Sequence, residues 1–208
     1  MDAREAIEAA LADAVDPVLR AAGFDGAPFT WRRRDAEGNW VVVTVDVAGG
    51  EDQAQCSVGL AAVPAAWLAF MGVWLGMPPA EVQESIGLFR DRLGAEDWAV
   101  RSPEEAEAVA TEVARRIATD VVPRLDGLQD REAVLGTLRA GDLGILKHAD
   151  YPGLFVFAEA VLMSEDGPSF RLDELLVQAR EQAPEGRKEQ VERYALWIHE
   201  RAKERGGD

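Results

Sequence analysis

Five arginines concentrate basic charge in an otherwise acidic chain: Arg32, Arg33 and Arg34 in one run, and Arg90 and Arg92 in a later stretch. A planar guanidinium grips a carboxylate or phosphate with two parallel hydrogen bonds, so arginines carried by one sheet face would form an anion or carboxylate site. The same side chains can instead pair across strands with acids such as Asp46 or Glu37. His148, in the loop sequence KHADYPG, is the histidine placed to join such a site, because loops carry function more often than core segments. His199 sits among Glu200, Arg201 and Lys203 in a helical pattern and is expected to be solvated.

Catalytic chemistry finds little support. A nucleophile needs a base within hydrogen-bond reach, and neither histidine is accompanied by a serine motif or by metal-ligand spacing. Cys56 stands alone, which excludes a disulfide within the chain and a multi-cysteine metal site, and its neighbours Gln55 and Ser57 make it a small core residue of a strand. Glu104, Glu105 and Glu107 are explained by a helix start, and Glu159, Glu165 and Asp166 by a polar turn. The glycines at 23, 26, 49 and 50 lack the spacing and the following lysine of a phosphate loop. The sequence therefore nominates no catalytic residue, no metal ligand and no cofactor.

Lys and Arg number 22 against 38 Asp and Glu, a net charge of -16, which opposes a phosphate-binding surface; no nucleic acid partner is expected. The acids are spread along the chain, as on a solvated surface or one that attracts a basic partner. With 48% hydrophobic and 29% charged residues the composition is that of a globular protein. Asp2, Arg4 and Glu5 follow Met1 directly, leaving no apolar segment of the signal-peptide kind, so a cytoplasmic location is expected.

These residues must be positioned by an α+β fold. Apolar positions at three- and four-residue steps from Ala6 to Leu19 predict a helix over Asp2 to Ala22, with Pro17 as a kink and Gly23 as a left-handed stop on which Phe24 folds back. Phe29 to Arg34, Trp40 to Val47 and Gln53 to Ala62 predict a three-strand antiparallel meander. Alternation separates Arg33 from Arg32 and Arg34, so at least one arginine faces the core or lies at the strand end. Ser85 to Leu93 and Trp98 to Arg101 supply one or two further strands, with Gly94 to Asp97 as the turn. Ser102, Pro103, Glu104 and Glu105 start a helix expected to stop before Pro123. A run of helical hairpins follows: Asp130 to Ala140, Gly153 to Met163, Phe170 to Gln182 and Glu185 to Lys203. The expected organisation is an α+β domain over 1–125 and a helical extension over 126–208.

No residue between Asp52 and Glu81 is charged, and Ala65 to Met77 is almost wholly apolar. Pro64 and Pro78 bracket it below the length of about 20 residues that a membrane span needs, so no membrane is expected. Such a helix either lies in the core or docks on a protein partner or a second copy. Trp67, Phe70, Met71 and Trp74 share one side at helical spacing and are the candidate interface anchors.

The run LRAAGFDGAPFTWRRRDAEGNWVVVTVDV, then CSVGLAAVP, RDRLGAEDWAV and a helix ending TDVVPRLDGLQD, resembles in order and spacing the bacterial family called domain of unknown function 4304. The resemblance covers residues 1 to 140, and it departs at Trp98, followed here by Ala99 where paired tryptophans are common. It implies a fold and no activity, substrate or cofactor. The function expected is that of a non-catalytic cytoplasmic binding protein, such as an immunity or inhibitor-type acidic partner of a basic protein. The alternative is an enzyme or small-molecule or anion-binding protein that uses the arginine-bearing sheet face.

Overall fold

The computed structural model describes residues 2–76, 81–93, 98–148 and 153–207. The first helix, α1 (Ala3–Ala21), opens with a capping box: the Asp2 carboxylate accepts from the Glu5 N–H at 2.8 Å, and Glu5 accepts from the Asp2 N–H at 3.4 Å. Its buried face is Ala6, Ile7, Leu11, Val15 and Leu19, and the helix continues through Pro17. It ends as the sequence predicts. Gly23 takes φ +80°, its N–H bonds the Arg20 carbonyl, and the Phe24 N–H returns to the Leu19 carbonyl. Phe24 is buried.

The meander is present as β2 (Thr30–Arg34), β3 (Trp40–Gly49) and β4 (Ala54–Val63), all antiparallel. Three strands extend it. A short β1 (Asp25–Ala27) pairs with β2, and β5 (Phe89–Leu93) and β6 (Ala99–Val100) both pair with β4, β5 on residues 58–62 and β6 on 54–55. Phe29, expected in the strand, forms the turn between β1 and β2 with φ +76°. Pro28 before it fixes the preceding φ, so the pair makes the tight reversal in which glycine usually takes the second position. Ser85 and Ile86 fall in a 3-10 turn (Glu84–Ile86), and β5 starts only at Phe89. The expected turn at 94–97 lies outside the described residues.

Register divides the sheet into two faces. Trp31, Arg33, Val41, Val43, Val45, Cys56, Val58, Leu60 and Phe89 share the face that α1 covers. The Trp31 indole N–H donates to Asp16 of α1 at 2.8 Å, which gives a fully buried donor its acceptor. Arg32, Arg34, Trp40, Val42, Thr44, Ala61, Arg90 and Arg92 share the opposite face. The segment 81–86 crosses it, held where the Arg32 Nε donates to the Val82 carbonyl at 2.5 Å.

Helix α2 (Ala65–Leu75) leaves β4 at Pro64, and its first N–H is accepted by Asn39 of the β2–β3 loop at 3.0 Å. Asn39 is itself buried and bonded to Asp35, so one loop holds both the hairpin and the helix start. Helix α3 (Pro103–Arg116) has Ser102 as N-cap, with Oγ accepting from the Glu105 N–H at 3.2 Å.

The expected stop before Pro123 does not occur. A π turn over Ile117–Val121 carries the chain into α4 (Val122–Leu128), with the Val122 N–H bonded to the Ile117 carbonyl. Pro123 then occupies the first turn of α4, where a missing N–H costs little. The boundary expected at 125–126 therefore falls inside α4, between the buried Leu125 and Leu128.

Helices α5 (Arg131–Arg139), α6 (Gly153–Met163), α7 (Phe170–Glu181) and α8 (Lys188–Gly206) complete the chain, with α6 packed on α5, α7 and α2. A 3-10 turn, Ile145–His148, is seated against β5 by a parallel bridge between Arg90 and Gly144. Gly144, at φ +64°, is required there: a Cβ would stand 1.9 Å from the Arg90 carbonyl oxygen.

Candidate functional site

The five candidate arginines divide between the faces and do not converge. Arg33 lies under α1, where Nη1 donates to the Ala22 carbonyl at 2.9 Å, Nη2 pairs with Asp126 at 2.5 Å, and the guanidinium stands 4.8 Å over the Phe24 ring. On the other face Arg32 and Arg90 occupy one cross-strand row, Arg32–Val42–Ala61–Arg90, three strand spacings or roughly 14 Å apart. Arg32 pairs with Glu81 at 3.3 Å, and Arg92 pairs with Asp46 at 3.4 Å, the cross-strand acid the sequence suggests. Arg34 is exposed and stacks on Trp40 at 5.5 Å.

Arg90 combines two features found separately in Arg33 and Arg34: a shielded Nε without an acceptor, as in Arg33, and no carboxylate partner among the described residues, as in Arg34. Its Nη1 donates to the Ser85 carbonyl at 3.2 Å, its Nε is shielded from solvent without an acceptor, and no carboxylate among the described residues pairs with it. It lines a pocket of about 180 Å³ with Trp67, Met71, Trp74, Ile86 and Leu154. Trp67 is fixed by its indole N–H, which donates to the Ile86 carbonyl at 2.9 Å, and Trp74 stacks on Tyr194 of α8 at 5.3 Å. His148 ends the 3-10 turn beside β5, and its side chain lies outside the described part of the structure.

Residues 15–127 match the family model described as Domain of unknown function (DUF4304). The chain belongs to this family. The DUF4304 match begins within α1 and ends within α4, a narrower span than the resemblance at 1–140 implies, and it leaves α5 to α8 outside. No curated protein and no solved structure matches the chain. Arg90, Trp67 and Trp74 stand inside the DUF4304 segment, whereas Leu154 and Tyr194, which complete or support the pocket, stand outside it.

The candidate interface helix is largely internal to this DUF4304 chain. Trp67 and Phe70 are buried within their own chain, so they offer no surface to a partner. Phe70 stands at the centre of a ring cluster with Trp67, Trp74, Phe157, Tyr194 and Trp197, with centroids 5.2 to 6.3 Å away. Met71 and Trp74 are half-buried and Leu75 is exposed; Met77 lies outside the described residues.

A second opening carries none of the candidate residues. Between α1 and α3 runs a groove of about 450 Å³, floored by Ala6, Ala10, Ala14 and Ala110 and flanked by Asp13 and Glu107. Neither carboxylate has an ion pair or side-chain hydrogen bond among the described residues. The sequence signal is the interleaving of alanines with acids along two helices, a pattern that also describes an ordinary helix contact.

Other candidate groups are held in ways that suit structure. Cys56 is buried on the face under α1, and desolvation pushes its thiol up to about 11. The Asp16 carboxylate is held below its ordinary range, first by the Trp31 indole N–H and then by Arg20. Glu159 is shared by Arg139 and Arg171, at 3.1 and 3.2 Å. Glu165 is paired with Arg201 and Arg205, and Asp166 with Arg131. Among the described residues no group of His, Cys, Asp and Glu is arranged to hold a metal ion, and no helix is long and apolar enough to cross a membrane.

Proposed function

We propose that this chain is a non-catalytic binding protein of the immunity or inhibitor type, which meets a basic protein partner in the cytoplasm through the groove between α1 and α3. The observation that carries this reading is a pair of exposed carboxylates, unpaired among the described residues, over an apolar floor, beside arginines that are for the most part internally paired. Arg32, Arg33 and Arg92 of the sheet, and Arg124, Arg131, Arg139 and Arg201 of the helices, are tied to the chain's own acids. Asp13 and Glu107 are left facing outward over an apolar floor.

An arginine or lysine from a partner would lay its methylene stem on Ala10, Ala14 and Ala110 and bring its charge to the two carboxylates, the way long basic side chains cover apolar surface. The net charge of -16 would accelerate the encounter with a basic protein and repel nucleic acid. The single buried thiol is compatible with a reducing compartment.

The test is calorimetric titration with deca-arginine at low and at high salt. Asp13→Lys with Glu107→Lys should weaken binding about tenfold or more, while the control Glu181→Lys with Glu204→Lys, two exposed acids of α7 and α8, should weaken it far less. Equal losses in the two double variants would reduce the effect to diffuse charge and remove the groove from the reading.

A further inference from the structure

Arg90 is a cation with no counter-ion among the described residues, at the wall of an apolar pocket. Its neighbour Asp91 points to the other face and pairs with Arg124 at 2.5 Å, while Arg32 and Arg92 on its own face take Glu81 and Asp46. Among the described residues only one of its nitrogens has an acceptor, the Ser85 carbonyl. The opposite edge of the guanidinium, Nε with Nη2, is the edge that a carboxylate holds with both oxygens. A buried donor left without an acceptor destabilises the empty state, and a small turn of the side chain toward a ligand would satisfy it.

The other walls say what the anion is attached to. Trp67 and Trp74 are flat and fixed, one by its hydrogen bond to Ile86 and the other by stacking on Tyr194, and Met71, Leu146 and Leu154 close the sides. Aromatic faces favour offset or edge contacts with a ring. The volume of about 180 Å³ is below the roughly 300–1,000 Å³ of sites for larger ligands, which limits the occupant to one ring and a short arm. One cation among the described lining residues, in a chain of net charge -16, matches a monoanion; a phosphate dianion would need further donors.

We propose that this pocket binds a small monocarboxylate carrying a single flat apolar ring, with Arg90 holding the carboxylate and Trp67 and Trp74 flanking the ring. This site is separate from the groove between α1 and α3, and its fate leaves the basic-partner reading untouched.

Phenylacetate is the probe, with hexanoate and inorganic phosphate as comparison ligands, each titrated by calorimetry and by the indole N–H signals of Trp67 and Trp74. The full chain should bind phenylacetate at about 1 mM or tighter, hexanoate more weakly and phosphate not at all. Arg90→Gln should weaken phenylacetate about tenfold or more, and Arg34→Gln, on the same face but outside the pocket, should leave it unchanged. If Arg90→Gln does not fold, Arg90→Lys takes its place and should lose the same advantage, since an ammonium cannot grip both oxygens. The proposal is overturned by phosphate binding in place of phenylacetate, by indole signals that do not move, or by a folded Arg90 variant that binds as well as the wild type.

Discussion

The groove between α1 and α3 and the Arg90 pocket differ in sign, lining and support. The groove is floored by alanines, of which Ala6 and Ala110 also belong to the core, and edged by Asp13 and Glu107. The Arg90 pocket is smaller, carries a positive charge, and is walled by aromatic rings that are themselves supported by Phe70 and Tyr194. A net charge therefore says little about a given site. In this chain two acids edge the groove, whereas Arg90, with no carboxylate partner among the described residues, lines the pocket.

The largest effect should come from removing the support of the pocket. Phe70 is fully buried at the centre of the ring cluster, so Phe70→Ala should cost about 3–5 kcal/mol in urea unfolding and should loosen Trp67 and Trp74 together. The groove, on the other side of the sheet, should keep its binding of deca-arginine in any folded fraction. Loss of peptide binding in folded Phe70→Ala would show that the two openings are coupled.

The face under α1 is dry, and Cys56 reports it. Its thiol is raised from an ordinary 9.0 to about 11, so the native state holds a proton that the unfolded state releases. The stability this contributes is fully present below pH 9, falls as pH rises, and is lost above 11, a total of about 3 kcal/mol. Cys56→Ala should flatten that part of the stability profile measured by denaturant unfolding. A wild-type profile already flat over the window would mean that water reaches this face.

Gly23→Ala is a smaller probe of the same side, because it strains the left-handed end of α1 without a hard clash, the nearest atom to a new Cβ being Arg33 Cδ at 3.5 Å. It should cost about 1 kcal/mol in thermal unfolding. Replacing Asp13 and Glu107 should barely move stability, within about 0.5 kcal/mol each, because neither is paired with a described residue. Strong destabilisation by either would make the groove carboxylates structural.

The parts of this fold that were legible in the sequence are those set by local rules. Ser102 and Gly23 mark helix ends through the backbone groups they satisfy, and the aromatic and β-branched run from Trp40 onward marks a strand. The turn at Phe29 was hidden because a positive φ is normally signalled by glycine, and Pro123 misled because a proline can also sit in the first turn of a new helix. The candidate site was half legible. Alternation separates Arg33 from Arg32 and Arg34, but the burial of α2 depends on α6 and α8, more than eighty residues later in the chain. The pocket needs Arg90, Trp67 and Leu154 brought together by tertiary contacts that no spacing encodes. The groove was missed because its alanines read as core positions.

The most direct test of the basic-partner account is a map of backbone amide shifts during titration with deca-arginine. The account predicts that the shifts concentrate in α1 around Ala6 to Ala14 and in α3 around Pro103 to Thr111, the two walls of the groove. Shifts spread evenly over the acids of α7 and α8, or absent from α1 and α3, would contradict it.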